Sequence, residues 1–179
     1  GITPTITQRA SGFSRANLAA VLADLGRGAE ALARMEQALA LWRQINRRPE
    51  VGRTLRHIGV ALFHDRGDAA GARAAFDEAL AIAREIKDAD LETLTLVELG
   101  SLALVQGDAA RAIAMFDEGL AIARRSGSPD LEYKLLAERG RTHLRTGAHD
   151  AAIGDLRASA AIVNDIRARV TSDEAKIAF

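Results

Sequence analysis

The sequence predicts an all-α fold, a right-handed superhelical solenoid of about four antiparallel helix pairs. Three observations carry that expectation. Residues 67–106 and 107–146 align without a gap and are identical at 21 of 40 positions. A fixed period between about 20 and 50 residues marks chains whose units bury their apolar faces only against neighbouring units. Within each copy the apolar residues recur at helical spacing, as in Ala109, Ala112, Ile113, Phe116 and Leu120. Finally, Pro4, Pro49 and Pro129 all fall outside the helical patterns, and no stretch alternates like a strand.

Residues 1–10 read as an N-terminal extension, followed by a repeat domain over 11–170 with units at about 11–46, 50–87, 90–126 and 130–167. The run Ser14 to Leu25 matches the half-unit that ends each copy. From Gly26 to Gly67 the spacing is 41 residues, against 40 from Gly67 to Gly107. The spare residue lies between Gly59 and Gly67, which predicts a longer helix end or turn there. Pro49-Glu50 and Ser128-Pro129-Asp130 are helix starts, the latter with Ser128 as a capping hydroxyl and both with proline where no N–H is needed and an acid at the positive end of the dipole. Asp68 and Asp108, each after a glycine, are placed to cap the second helix of their units. Gly147 opens the last such helix, with Ala152, Leu156 and Ser159 in the slots of Ala112, Phe116 and Gly119. Residues 171–179 read as the start of a further or capping helix, because Thr171 and Glu174 have capping-box spacing. That start stops halfway at Phe179, which suggests a chain cut from a longer protein.

Gly100 and Gly140 sit mid-helix, where glycine is unfavourable by roughly 0.5–1 kcal/mol. The cost is rational if the second helix of the pair crosses there at close range, so a Gly100→Leu change should overpack the pair by about 1–3 kcal/mol. Phe76 and Phe116 are expected as core knobs filling the gap between successive pairs. Trp42 is expected to pack on the next pair, where Ala83 and Ala123 hold the equivalent slot.

The order Leu96, Leu99-Gly100, Ala103, then Ala112, Phe116 and Gly119 resembles the tetratricopeptide repeat in its forty-residue variety. Gly59, Ala72, Phe76, Ala79 and Gly140, Ala152, Leu156, Ser159 repeat the resemblance, which covers the chain from about Ser11 onwards. Ala19 departs from it in the glycine slot of the first unit. The family's carboxylate clamp needs Lys and Asn where this chain has Ala16 and Ala20, so the resemblance does not extend to that partner. The tail Ile166 to Phe179 is similar to the segment that joins such repeats to a CHAT domain in bacterial proteins. A CHAT-type peptidase or a large ATP-dependent transcriptional regulator would then be the parent, with this chain as its regulatory or sensor segment.

The resemblance implies that the first helix of each pair lines a concave groove that binds a protein or peptide. Taking Gly59, Gly100 and Gly140 as register, the inward positions are Arg53, Arg56, Val60, Phe63 and His64, then Leu94, Val97, Ser101, Leu104 and Val105, then Lys134, Ala137, Arg141, Leu144 and Arg145. Basic ends around an apolar centre suggest a partner with acidic flanks and an apolar middle. The alternative is that these arginines form an ordinary solvated face. Open solenoid ends could also pair between chains, giving a homo-oligomer.

Composition points the same way. With 24 basic and 24 acidic residues the chain lacks the positive field that nucleic-acid binding needs. The one basic cluster, Arg43, Arg47, Arg48, Arg53 and Arg56, has only Trp42 for base stacking. There is no cysteine, hence no thiolate nucleophile, thiolate zinc site or disulfide. His57 and His64 share a helix face but find no third metal ligand in register, and no phosphate-cradling glycine loop follows a strand. The paired acids Asp77-Glu78 and Asp117-Glu118 recur with the period, as scaffold residues do. The expectation is a non-enzyme without cofactor or metal. Its apolar runs are too short to span a membrane, and it would be cytoplasmic; the resemblance of the tail implies a bacterial protein.

Overall fold

The computed structural model describes Gly12, Leu18, Ala19, Leu22 and residues 27–177, with side chains described through Val170. Much of the first expected unit therefore lies outside the described residues. The described chain forms seven helices and no strand: α1 Gly28–Gln44, α2 Arg48–Arg66, α3 Ala69–Ile86, α4 Ala89–Val105, α5 Ala109–Ser126, α6 Pro129–Arg145 and α7 His149–Ile177. Two compact units divide at Glu98 and Leu99, within α4. In the first, α1 packs on α2 and α2 on α3; in the second, α5 packs on α6 and α6 on α7.

Helix starts and stops follow local chemistry. The Asp68 and Asp108 carboxylates each accept a 2.9 Å bond from the backbone N–H three residues on, Gly71 and Arg111. Asp88 makes the same cap with Leu91 N–H at 3.0 Å, a third start that sequence reasoning missed. Ser128 sits at the N-cap of α6, yet its hydroxyl makes no capping bond; there the proline at the helix start does the work. Gly67 and Gly127 close α2 and α5 in the left-handed region, at φ 65° and 67°. The spare residue of the first copy is absorbed by α2, which spans 19 residues against 17 for α4 and α6.

The further helix expected at Thr171 does not start there, because α7 runs unbroken over 29 residues from His149 to Ile177. The cause is local. Where earlier copies break at Lys87-Asp88 and Gly127-Ser128-Pro129, this one has Arg167-Ala168-Arg169. It offers no capping side chain, no proline and no left-handed glycine.

In the first unit the core gathers Leu39, Trp42, Val51, Leu55, Ile58, Ala75, Ala79 and Ile82. Trp42 is buried in that cluster with side chains of α2 and α3, and its ring also covers Gly12, where a Cβ would come within 2.2 Å. Phe76 and Phe116 are completely buried. Each ring lies on the glycine of its own pair. A Cβ on Gly59 would stand 2.4 Å from Phe76, and one on Gly100 2.4 Å from Phe116. Gly140 repeats the contact more loosely, 3.0 Å from Leu156. Gly59→Ala should therefore lower the unfolding free energy by about 1–3 kcal/mol, because a fully buried ring has nowhere to move. Chemical denaturation checks this, and a stabilised Gly59→Ala variant would contradict the packing.

Candidate functional site

In the first unit, Arg53, Arg56, Val60, Phe63 and His64 recur three or four residues apart along α2, beside the buried stripe of Val51, Leu55 and Ile58. Arg53 and His64 are exposed, whereas Arg56, Val60 and Phe63, with Leu94 and Val97 of α4, are half-buried. The Phe63 and His64 rings lie 4.7 Å apart. Arg56 Nη1 donates to Glu98 Oε1 at 3.3 Å, with both side chains about four-fifths buried. Burial raises the proton affinity of Glu98 above the ordinary carboxylate range, outweighing the opposite pull of Arg56 and His64. Burial likewise lowers that of Arg56. The native state then binds the Glu98 proton more tightly than the unfolded chain does. As pH falls from 7 towards 4.5, the ordinary value of a glutamate carboxyl, the native protein should gain stability relative to a Glu98→Gln variant. Paired denaturation curves at the two ends of that range check the sign.

The basic cluster is neutralised internally. Arg43 meets Glu78 at 2.7 Å, Arg47 meets Glu50 at 2.5 Å, Arg53 meets Asp88 at 3.1 Å, and Arg48 pairs with Glu85. With the Arg56–Glu98 pair, all five arginines have a carboxylate of their own. These pairs join residues up to 42 positions apart, so a count of charges along the chain does not show them.

In the second unit, Ser101 and Leu104 are half-buried and Lys134, Arg141 and Arg145 exposed. Arg141 pairs with Glu138, and Lys134 Nζ lies 5.9 Å from the Tyr133 ring centre. Leu104 and Arg145 come together, with Gly107, Ala109, Thr142 and Thr146, around an open cleft of about 250 Å³. Two further expected inward positions, Val105 and Leu144, are 71% and 53% exposed, unusual for large apolar side chains. The basic ends expected of the groove thus shrink to Lys134 and Arg145, because Arg53, Arg56 and Arg141 hold acids of their own.

A further polar cluster escaped sequence reasoning. Asp155, 7% exposed, takes two bonds from Arg139, Nε to Oδ2 at 2.9 Å and Nη2 to Oδ1 at 2.6 Å. Arg139 also pairs with Asp117, and His143 Nε2 stands 3.8 Å from Asp155. These bonds, that to Asp155 foremost, raise the pKa of Arg139. A signal was available: one copy earlier the same two slots hold Leu99 and Met115. Among the described residues no three His, Asp or Glu side chains gather as a metal site. None of the described helices is long and apolar enough to cross a membrane.

Against known proteins, two tetratricopeptide repeat family models match residues 9–85 and 97–165. No curated protein matches the chain. Among solved structures it is similar to BtubC (BKLC) from P. vanneervenii, at 18% identity and a TM-score of 0.77, covering 87% of this chain and 64% of that one. It is also similar to aspartyl phosphate phosphatase F from Bacillus subtilis, at 15% identity and 0.81, covering 87% and 40%. A third is a signal transduction ATPase with numerous domains and a tetratricopeptide repeat sensor from Pyrococcus horikoshii, at 18% and 0.79, covering 97% and 27%. The chain spans less than two thirds of each, and at these identities the likeness is one of fold. The glycine-on-phenylalanine crossings and the family matches agree: this chain belongs to the tetratricopeptide repeat family and has its all-α helical-repeat fold.

Proposed function

We propose that the chain is a non-catalytic interaction module that binds a peptide or partner segment on the inward faces of its first helices. The observation that carries this reading is an apolar register position at which Phe63 and Leu104 are half-buried and Leu144 is uncovered. Phe63, Leu104 and Leu144 occupy equivalent slots, and Leu144 stands 53% exposed although the fold gains nothing from exposing it. Partner recognition then rests on apolar contact, with acidic flanks useful only opposite Lys134 and Arg145. A neighbour of the same fold, at 17% identity and a TM-score of 0.78, is a Rap protein complexed with the competence and sporulation factor.

The parent would be a larger bacterial, cytoplasmic protein in which this segment senses or regulates. The tail similarity to the joint with a CHAT domain supports that setting, although beyond Val170 the tail's side chains lie outside the described residues. The test is selection of displayed peptides on the purified chain. Enriched peptides should lose affinity on Phe63→Ser and Leu144→Ser, and keep it on Ala81→Gln and Ala121→Gln, both exposed on the second helices of their pairs. Enriched peptides indifferent to the first two changes would refute the reading.

A further inference from the structure

The cleft bounded by Leu104, Gly107, Ala109, Thr142, Arg145 and Thr146 differs chemically from the rest of the inward surface. Its hydroxyl donors are already engaged. Thr142 Oγ1 donates to Glu138 O at 2.8 Å, and Thr146 Oγ1 to His143 O at 3.0 Å. The helix ends around it are also closed. Gly107 and Asp108 N–H bond back to Leu104 and Ala103, while Gly147 and Ala148 N–H bond back to Leu144 and His143. Arg145 is therefore not required to satisfy the last carbonyls of α6. It forms no ion pair or hydrogen bond among the described residues, whereas most arginines of this chain do. Of the acids near the cleft, Asp108, between Gly107 and Ala109, accepts from the N–H of Arg111 at 2.9 Å, and Glu138 pairs with Arg141. What remains for a ligand is a mixed floor, apolar at Leu104 and Ala109, and one guanidinium with free donors.

Those features select a ligand class. A volume of about 250 Å³ falls just short of the roughly 300–1,000 Å³ typical of small-molecule sites, and admits a leucine-sized side chain with room for its neighbouring residue. A single guanidinium matches a carboxylate bidentately, without the second cation that a dianionic phosphate would call for. We propose that this cleft seats an aliphatic side chain of leucine size from a partner peptide, with the carboxylate of an adjacent acidic residue against Arg145. The proposal rests on the interaction reading above and narrows it to one contact.

The test uses N-acetyl-leucyl-aspartyl amide, titrated into the full chain and followed by amide chemical shifts. Saturable shifts should appear at Gly107, Ala109 and Thr146. Affinity should drop about three- to fivefold, as for an exposed ion pair, both in Arg145→Gln and with N-acetyl-leucyl-asparaginyl amide. N-acetyl-alanyl-aspartyl amide should also bind more weakly. Absence of saturable shifts at those amides, or equal affinity in Arg145→Gln, overturns the proposal. Shifts at Val60 and Leu94 alone would overturn the cleft and leave the wider interaction reading standing. Cleft shifts without any selected peptide that depends on Phe63 and Leu144 would do the reverse.

Discussion

Truncating Phe116 to alanine is expected to lower the unfolding free energy by about 3–5 kcal/mol, the cost of an emptied, fully enclosed aromatic site. The ring is completely buried and lies against the α4 backbone at Gly100. The diagnostic result comes from the pair. Glycine to alanine in a helix interior ordinarily stabilises by roughly 0.5–1 kcal/mol. At Gly100 the sign should reverse, because the new methyl would stand 2.4 Å from Phe116 Cε1. In the Phe116→Ala background Gly100→Ala should become neutral or stabilising, since the methyl then enters the cavity. A double-mutant cycle by urea denaturation measures this coupling. Additive single effects would show that ring and glycine do not share one space.

Replacing Arg139 by leucine should cost about 2–4 kcal/mol, somewhat under the full cost of breaking a buried ion pair because the arginine keeps partial solvent access. Asp155 would lose both of its strong donors while staying buried, with only His143 at 3.8 Å in reach. Asp117, about half exposed, should lose its partner at little cost. Changing both members to the residues of the preceding copy, Arg139→Leu with Asp155→Met, is expected to recover most of the loss. Buried pairs exchanged for apolar residues of similar volume are often neutral or better. Thermal melts of the two single variants and the double decide it. A double variant as weak as Arg139→Leu would mean that this helix pair needs the charges for its geometry.

The helices, their start and stop signals, and the close crossings at Gly59 and Gly100 could be read from the residues because each is specified locally or recurs with the period. A carboxylate three residues before an N–H, a glycine able to turn left-handed and an apolar stripe every three or four residues need no distant partner. Repetition then tests each of them against a second copy. The continuous α7 shows the limit of that reasoning. A Thr-to-Glu spacing resembled a cap, but a cap requires the preceding helix to end, and nothing at residues 167–169 ends it.

From the sequence alone came the all-α repeat class, the register of the helices and the inward positions worth testing. Tertiary structure alone decided which of those positions still carry free charge. Long guanidinium side chains reach carboxylates 35 to 42 residues away across packed helices, as Arg43 does to Glu78 and Arg56 to Glu98. Such pairing depends on distance in space and on burial, not on order in the chain. The same cause hid the Arg139–Asp155 bond and left Arg145 without a carboxylate of its own.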